Sequence, residues 1–407
     1  MHVLLFILYG AIACYILPRL KFFRNSGIRP GFLLAIFSLR VLTGCLHNWI
    51  AWRYYPHHGD IWTFFQASFT TRAELRAGFG VFWAHIYRVV DIPHNFIEWI
   101  HLVFNCLSLD NIYINTLFFN FFTFSGYIAL FKVFYLRSGE NTLSALPALL
   151  LPSVLFWTSC IHTEGLVYPL LGWLFYTMHQ GLTHGWPPRR FINCLLLTGL
   201  VIFFRPALAP GLIPGLLIWW LAERSIPRKK LLIILSFIGL AIVILLCCFP
   251  ALLFLIPKTL SARQLEFQVL NGNSRLPLPL LTPDWSSLLK TLPWALLNGF
   301  FQPLPGSGGQ PIYLAFSLEL MAIWMIILFC LIKGKAVGPS TTAFTWCCLL
   351  FSLLGMCLAG YIIPFAGAIV RYRSLYLPFL LAPFIGRLQS CSQTLSLNRR
   401  IKNYIFK

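Results

Sequence analysis

Apolar residues run through this chain in long unbroken stretches, separated by short polar or basic ones. The runs approach the ~20 residues that a helix needs to cross a hydrocarbon core. They lack the alternation of a barrel strand, and within a bilayer only helices or closed barrels satisfy their own backbone. The pattern predicts an all-α, polytopic transmembrane helical bundle of about eleven spans. They lie near 2–17, 31–52, 113–135, 143–159, 165–180, 191–204, 206–221, 231–256, 312–332, 342–363 and 374–387. The 191–204 run is short enough to be re-entrant or broken. No internal repeat is visible, and residues 1–407 read as a single integral-membrane domain.

Two segments do not fit the span pattern. Residues 53–112 interleave Trp62, Phe64, Phe65, Phe69, Phe82, Trp83, Trp99 and Phe104 with polar positions, which predicts short helices along the membrane surface. Residues 257–311 carry Pro277, Pro279, Pro283, Pro293, Pro303, Pro305, Gly306, Gly308 and Gly309, and should be irregular. Two long loops among tight hairpins suggest a substrate-binding cap.

Composition supports the membrane reading. Hydrophobic residues make up 58% of the chain and charged ones 10%, with mean hydropathy +0.76; a soluble domain carries about 25% charged residues. A net charge of +20 would suit nucleic acid, but the basic residues occupy short loops, which is a topology signal. With the N-terminus outside and the C-terminus cytoplasmic, inside segments hold 19 of the 31 basic residues, while eight of the 11 acidic residues fall outside. Acids do not set orientation, so their clustering points to a functional face. The basic residues Arg19, Lys21, Arg24 and Arg29 follow the first apolar run, as in an uncleaved span rather than a signal peptide. Most of the twelve cysteines lie in apolar runs as small hydrophobes, and a Cys106–Cys160 bridge is not favoured.

Candidate chemistry begins at His57-His58-Gly59-Asp60, just after a span. Asp60 is read either as a general base or as the cap of a helix starting near Ile61. His57 and His58 could hydrogen-bond a phosphate, join Asp60 at a metal, or simply be interfacial; adjacent histidines are a weak metal signal, and no metal or cofactor is indicated. Glu164 and Arg205 sit at other outer junctions. A guanidinium there suits a phosphate, though Arg205 could also be a snorkelling side chain. Arg371 and Arg373 oppose the positive-inside pattern, so either an anionic ligand or pairing with the outside acids is expected. Arg40 and Glu319 fall inside spans, where a mutual ion pair is the favoured reading over a functional one.

These residues together resemble the GT-C superfamily of integral-membrane glycosyltransferases. Gly59-Asp60 stands where that superfamily carries a catalytic acid in its first large outside loop. Leu151–Ser159 followed by Glu164-Gly165 is similar to a "PSxxFWxS…KE" stretch of bacterial members, with Thr163 where lysine is usual. Phe204-Arg205-Pro206 resembles their "RP" element, and Arg371-Tyr372-Arg373 with Pro378 the start of their last spans. The resemblance implies a bacterial inner-membrane enzyme with its active face periplasmic. It would transfer a sugar from a polyprenyl-phosphate donor to a glycan, lipid or protein acceptor with inversion. Asp60 would be the base, with His57, His58, Glu164, Arg205, Arg371 and Arg373 binding substrate or phosphate. Two alternatives share the pattern: a polysaccharide polymerase or O-antigen ligase using a diphosphate-linked oligosaccharide, and a lipid or solute transporter. The partners implied are lipid-linked donor, acceptor and membrane lipid, without nucleic acid.

Overall fold

A computed structural model of the chain describes residues 1–407 apart from 56–58, 81–91, 225–253, 271, 273, 307–310, 335–338, 391 and 407. Regular structure among the described residues is helical, with two isolated bridges. In chain order the helices are α1 (His2–Ile16), α2 (Lys21–Arg24), α3 (Pro30–Tyr54), α4 (Gly59–Ala77), α5 (Ile92–Ser108), α6 (Ile112–Arg137), α7 (Thr142–Ala145), α8 (Pro147–Leu150), α9 (Pro152–Thr158), α10 (Thr163–His184) and α11 (Pro188–Phe204). There follow α12 (Ala209–Glu223), α13 (Leu255–Gln268), α14 (Trp285–Phe301), α15 (Pro311–Lys333), α16 (Pro339–Ile362), α17 (Ala366–Arg373), α18 (Leu377–Gly386) and α19 (Ser392–Ile405).

Among the described residues six helical segments are long and apolar enough to cross a membrane: His2–Arg19, Pro30–Tyr54, Ile112–Arg137, Pro206–Glu223, Pro311–Lys333 and Thr342–Ile362. A seventh arises if Ala366–Arg373 and Leu377–Gly386, bent by 52°, count as one broken span. The expected span at 143–159 is three short helices instead. Pro147 and Pro152 each begin a new helix there, because proline cannot donate the hydrogen bond that would continue a helix; before Pro152, Leu151 is also extended (φ −60, ψ 126). Most of 231–256 lies outside the described residues, as do Phe82 and Trp83 of the first loop. That loop otherwise folds as α4 and α5, which pack together. The second loop contains two helices, α13 and α14, joined by irregular chain. Cys106 and Cys160 are free thiols.

The chain divides into two compact units. The first holds Met1–Leu136, Glu140–Pro206 and Ser390–Lys407. Here α6 and α10 touch backbone to backbone: a Cβ built on Gly172 would sit 1.9 Å from the Gly126 carbonyl oxygen, and one on Gly126 would sit 2.4 Å from that of Pro169. Small residues let helices approach this closely where lipid removes the hydrophobic drive between them. A backbone carbonyl cannot swing aside as a side chain can. Gly172→Ala should therefore destabilise the protein by about 1–3 kcal/mol through overpacking. A lowered thermal midpoint of the detergent-purified chain is the expected reading, and an unchanged midpoint would contradict it.

The second unit holds Arg137–Gly139 and Ala207–Gln389, with α16 at its centre against α12, α14 and α18. The same device recurs: a Cβ on Gly360 would meet the Ala295 carbonyl oxygen at 1.9 Å, and one on Gly299 that of Met356 at 2.2 Å. Arg137 pairs with Glu223 at 2.6 Å in this unit. Arg373 is buried and donates to the carbonyls of Gly299 and Gln302 around the end of α14.

Candidate functional site

The site is built in the first unit on the loop between α9 and α10. Four side chains grip that loop through its backbone carbonyls. Arg40, fully buried in α3, donates from Nη2 to the Thr158 carbonyl at 2.9 Å and lies 3.3 Å over the Tyr127 ring. Tyr127 donates its hydroxyl to the same carbonyl at 2.7 Å. Asn120 donates to the Ser159 carbonyl at 2.7 Å, and His47 bonds that of Phe156 at 2.8 Å while its ring stacks on Phe156. These are the orphan carbonyls that every helix C-terminus presents, and a cation is the favoured partner there. The expected Arg40–Glu319 pair is thus corrected: the Arg40 guanidinium serves Thr158 and Tyr127. Glu319 belongs to the second unit, within electrostatic reach of Arg373. A backbone carbonyl is a partner that residue types alone do not reveal.

The gripped loop turns sharply into α10. A Cβ on Gly165 would lie 2.3 Å from the Cys160 carbonyl oxygen, so the turn needs glycine there. His162 caps α10 from extended backbone (φ −150, ψ 164), and Glu164 sits in the first turn, where a carboxylate favours the helix dipole. Arg205 ends α11 with φ −145 and ψ 80. Pro206 enforces this, since the residue before proline avoids the α region, and the Arg205 side chain leaves the helix line. Asp60 lies in the first turn of α4, one residue after Gly59, whose φ of +70 suits glycine. Asp60 thus sits inside the first turn of the helix rather than at its cap position. Ile61 and Phe65 pack against Ile112 and Cys160, and Phe64 beside Ile161, so α4 is seated over the loop. Trp62 ties α4 to α3 by donating to the Asn48 carbonyl at 2.9 Å.

These elements bring four side chains into a row. Arg205 Nη2 donates to Glu164 Oε1, and the other Glu164 oxygen bonds His162 Nδ1. The opposite ring nitrogen, His162 Nε2, lies 3.5 Å from Asp60 Oδ2. Exposure is lowest in the middle of the row and highest at Asp60. The Glu164 side chain is 0% exposed, His162 5%, Arg205 16% and Asp60 57%. An ionised carboxylate only accepts hydrogen bonds, so Glu164 paired with Arg205 fixes the Nδ1 proton of His162 and turns Nε2 toward Asp60. One end of the row is a carboxylate that solvent can reach; the other is the Arg205–Glu164 ion pair, in which only the carboxylate is fully buried. Among the described residues no group of three or more His, Cys, Asp or Glu side chains has the arrangement of a metal site.

The sequence reading grouped Asp60, Glu164 and Arg205, and the structure brings these three together. It also adds His162, which sequence reasoning passed over although it stands two residues before Glu164. A histidine two residues from an isolated acid at an outer junction was the available signal. Glu164 is fully buried and serves His162 and Arg205, which leaves it no open face for a substrate. His57 and His58 lie outside the described residues. Arg371 and Arg373 belong to the second unit. Part of the one-sided acid cluster has structural employment: Asp110 pairs with Arg72 at 2.8 Å, Glu266 with Arg263 at 2.8 Å, and Asp284 caps α14.

Beneath α4 a second polar chain is entirely buried. Asn115 donates to both His101 Nδ1 and Asn105 Oδ1, and Asn105 donates to Ser68 at 2.9 Å. Burial pushes the His101 imidazole in α5 from about 6.5 down to about 3. Between those two values the unfolded chain takes up a proton that the folded chain refuses, so stability rises with pH across that interval. Unfolding midpoints measured from pH 7 to pH 4 should fall steadily for the wild type and less steeply for His101→Gln; parallel slopes would refute the assignment.

No protein-family model, curated protein or solved structure matches this chain.

Proposed function

We propose that this is a membrane glycosyltransferase that moves a sugar from a polyprenyl-phosphate donor to a glycan, lipid or protein acceptor with inversion, with Asp60 as general base. One observation carries the reading: a solvent-reachable carboxylate stands 3.5 Å from the Nε2 of a histidine whose Nδ1 is engaged by a buried carboxylate paired with Arg205. A base in hydroxyl activation needs an open carboxylate in a fixed position, and the row supplies one. In the proposed step Asp60 accepts the acceptor hydroxyl proton as the oxygen attacks the anomeric carbon. The bond to the lipid phosphate breaks on the opposite face, and the phosphate departs as an anion without needing a proton. His162 is a positioning residue for Asp60. Counter-charge for the phosphate is assigned to Arg205, whose side chain is 16% exposed. The charge pattern of the loops supports a site on the outer face, and the GT-C resemblance implies the bacterial inner membrane, with that face periplasmic.

The full chain, reconstituted in lipid nanodiscs, should transfer radiolabelled sugar from a polyprenyl-monophosphate donor. Transfer from diphosphate-linked oligosaccharide alone would instead support a polymerase or ligase. Movement of solute across vesicles without transfer would support a transporter.

A further inference from the structure

The far end of α11 from Arg205 holds a cavity that the proposed reaction does not use. It has a volume of about 250 Å³ and lies between the last turns of α10 and the first of α11. Trp173, Tyr176, Gln180, Arg189, Arg190 and Asn193 line it. Arg190 is anchored by donation to the Gly185 carbonyl, and Arg189 stands exposed beside it. A third cation, Lys132 of α6, lies 5.8 Å from the centre of the Tyr176 ring. The floor is aromatic and the mouth positive, the combination met where a protein meets headgroups.

The helix continues this arrangement. Arg189, Asn193, Leu196, Leu200 and Phe203 follow at spacings of four, three, four and three, which is one face of an α-helix. Leu196, Leu200 and Phe203 are exposed at 59%, 43% and 43%. From Arg189 to Phe203 the face is about 21 Å long at 1.5 Å per residue, enough for the acyl depth of one leaflet, about half of a ~30 Å core. A cationic pocket that opens onto an apolar stripe of leaflet length matches a molecule with an anionic head and an acyl tail. A soluble phosphate would have no use for the stripe.

We propose that Arg189 and Arg190 bind the phosphate of an anionic glycerophospholipid whose acyl chain lies along Leu196, Leu200 and Phe203. This site is independent of the glycosyl-transfer reading. To test it, the full chain in neutral detergent is titrated with phosphatidylglycerol or phosphatidylcholine, and bound lipid is counted by native mass spectrometry. Phosphatidylglycerol should be retained preferentially. Arg189→Gln/Arg190→Gln should weaken that retention by about thirtyfold, roughly a factor of five for each cation. Arg399→Gln/Arg400→Gln, an equal charge loss in α19, should leave it intact. Equal retention of the two lipids, equal losses in the two variants, or displacement of the lipid by inorganic phosphate alone would overturn the proposal.

Discussion

Glu164→Gln should be among the most damaging single substitutions in the chain, costing about 3–5 kcal/mol of stability. The figure is that for breaking one side of a buried ion pair, which strands the partner charge. Glu164 is fully buried and bonds both Arg205 and His162, so its loss removes the carboxylate that faces a guanidinium on one side and an imidazole on the other. Removing both charges in Glu164→Gln/Arg205→Gln should be less destabilising than Glu164→Gln alone, because the cation goes with its partner. Thermal unfolding of the purified variants in one detergent checks this order. A double variant with the sum of the two single losses would mean that the pair does not act as one unit.

The second large effect concerns activity. Asp60→Asn should lower sugar transfer by roughly 10²–10⁴-fold, the usual contribution of a positioned general base, with little change in thermal midpoint. The carboxylate is 57% exposed and its ring partner is 3.5 Å away, so neutralising it strands no buried charge. This separates the two ends of the row experimentally: the Glu164 end carries stability, and the Asp60 end carries turnover. His162→Gln should fall between them, since Gln keeps a polar group at the cap of α10 but cannot face two carboxylates from opposite edges of one ring.

Several parts of this picture were legible in the residues. Bilayer-length apolar runs require an all-helical membrane protein, and six or seven segments among the described residues meet that test. The count of eleven spans rests on apolarity alone, which does not separate a crossing helix from a buried broken one: the 143–159 run is mostly apolar, yet its two prolines each start a new helix. Asp60, Glu164 and Arg205 could be grouped by placing them all on one face. Their pairing could not be read, because it depends on Pro206 turning Arg205 out of α11 and on a histidine in extended backbone two residues before Glu164. Arg40 shows the same limit from another side. A buried arginine in a span suggested a partner acid, while its partners are a tyrosine ring and the carbonyl that ends α9.

We propose that Asp60 and His162 act together in sugar transfer. This is tested most directly by measuring labelled-sugar transfer from a polyprenyl-monophosphate donor with the wild type, Asp60→Asn, His162→Gln and the double variant, each confirmed folded by its thermal midpoint. We expect robust transfer by the wild type and near-background transfer by Asp60→Asn. The double variant should be no slower than Asp60→Asn, since residues that act as a unit are not additive. Wild-type rates in Asp60→Asn would contradict the assignment of the base, and a double variant slower by the full product of the two single effects would contradict the coupling.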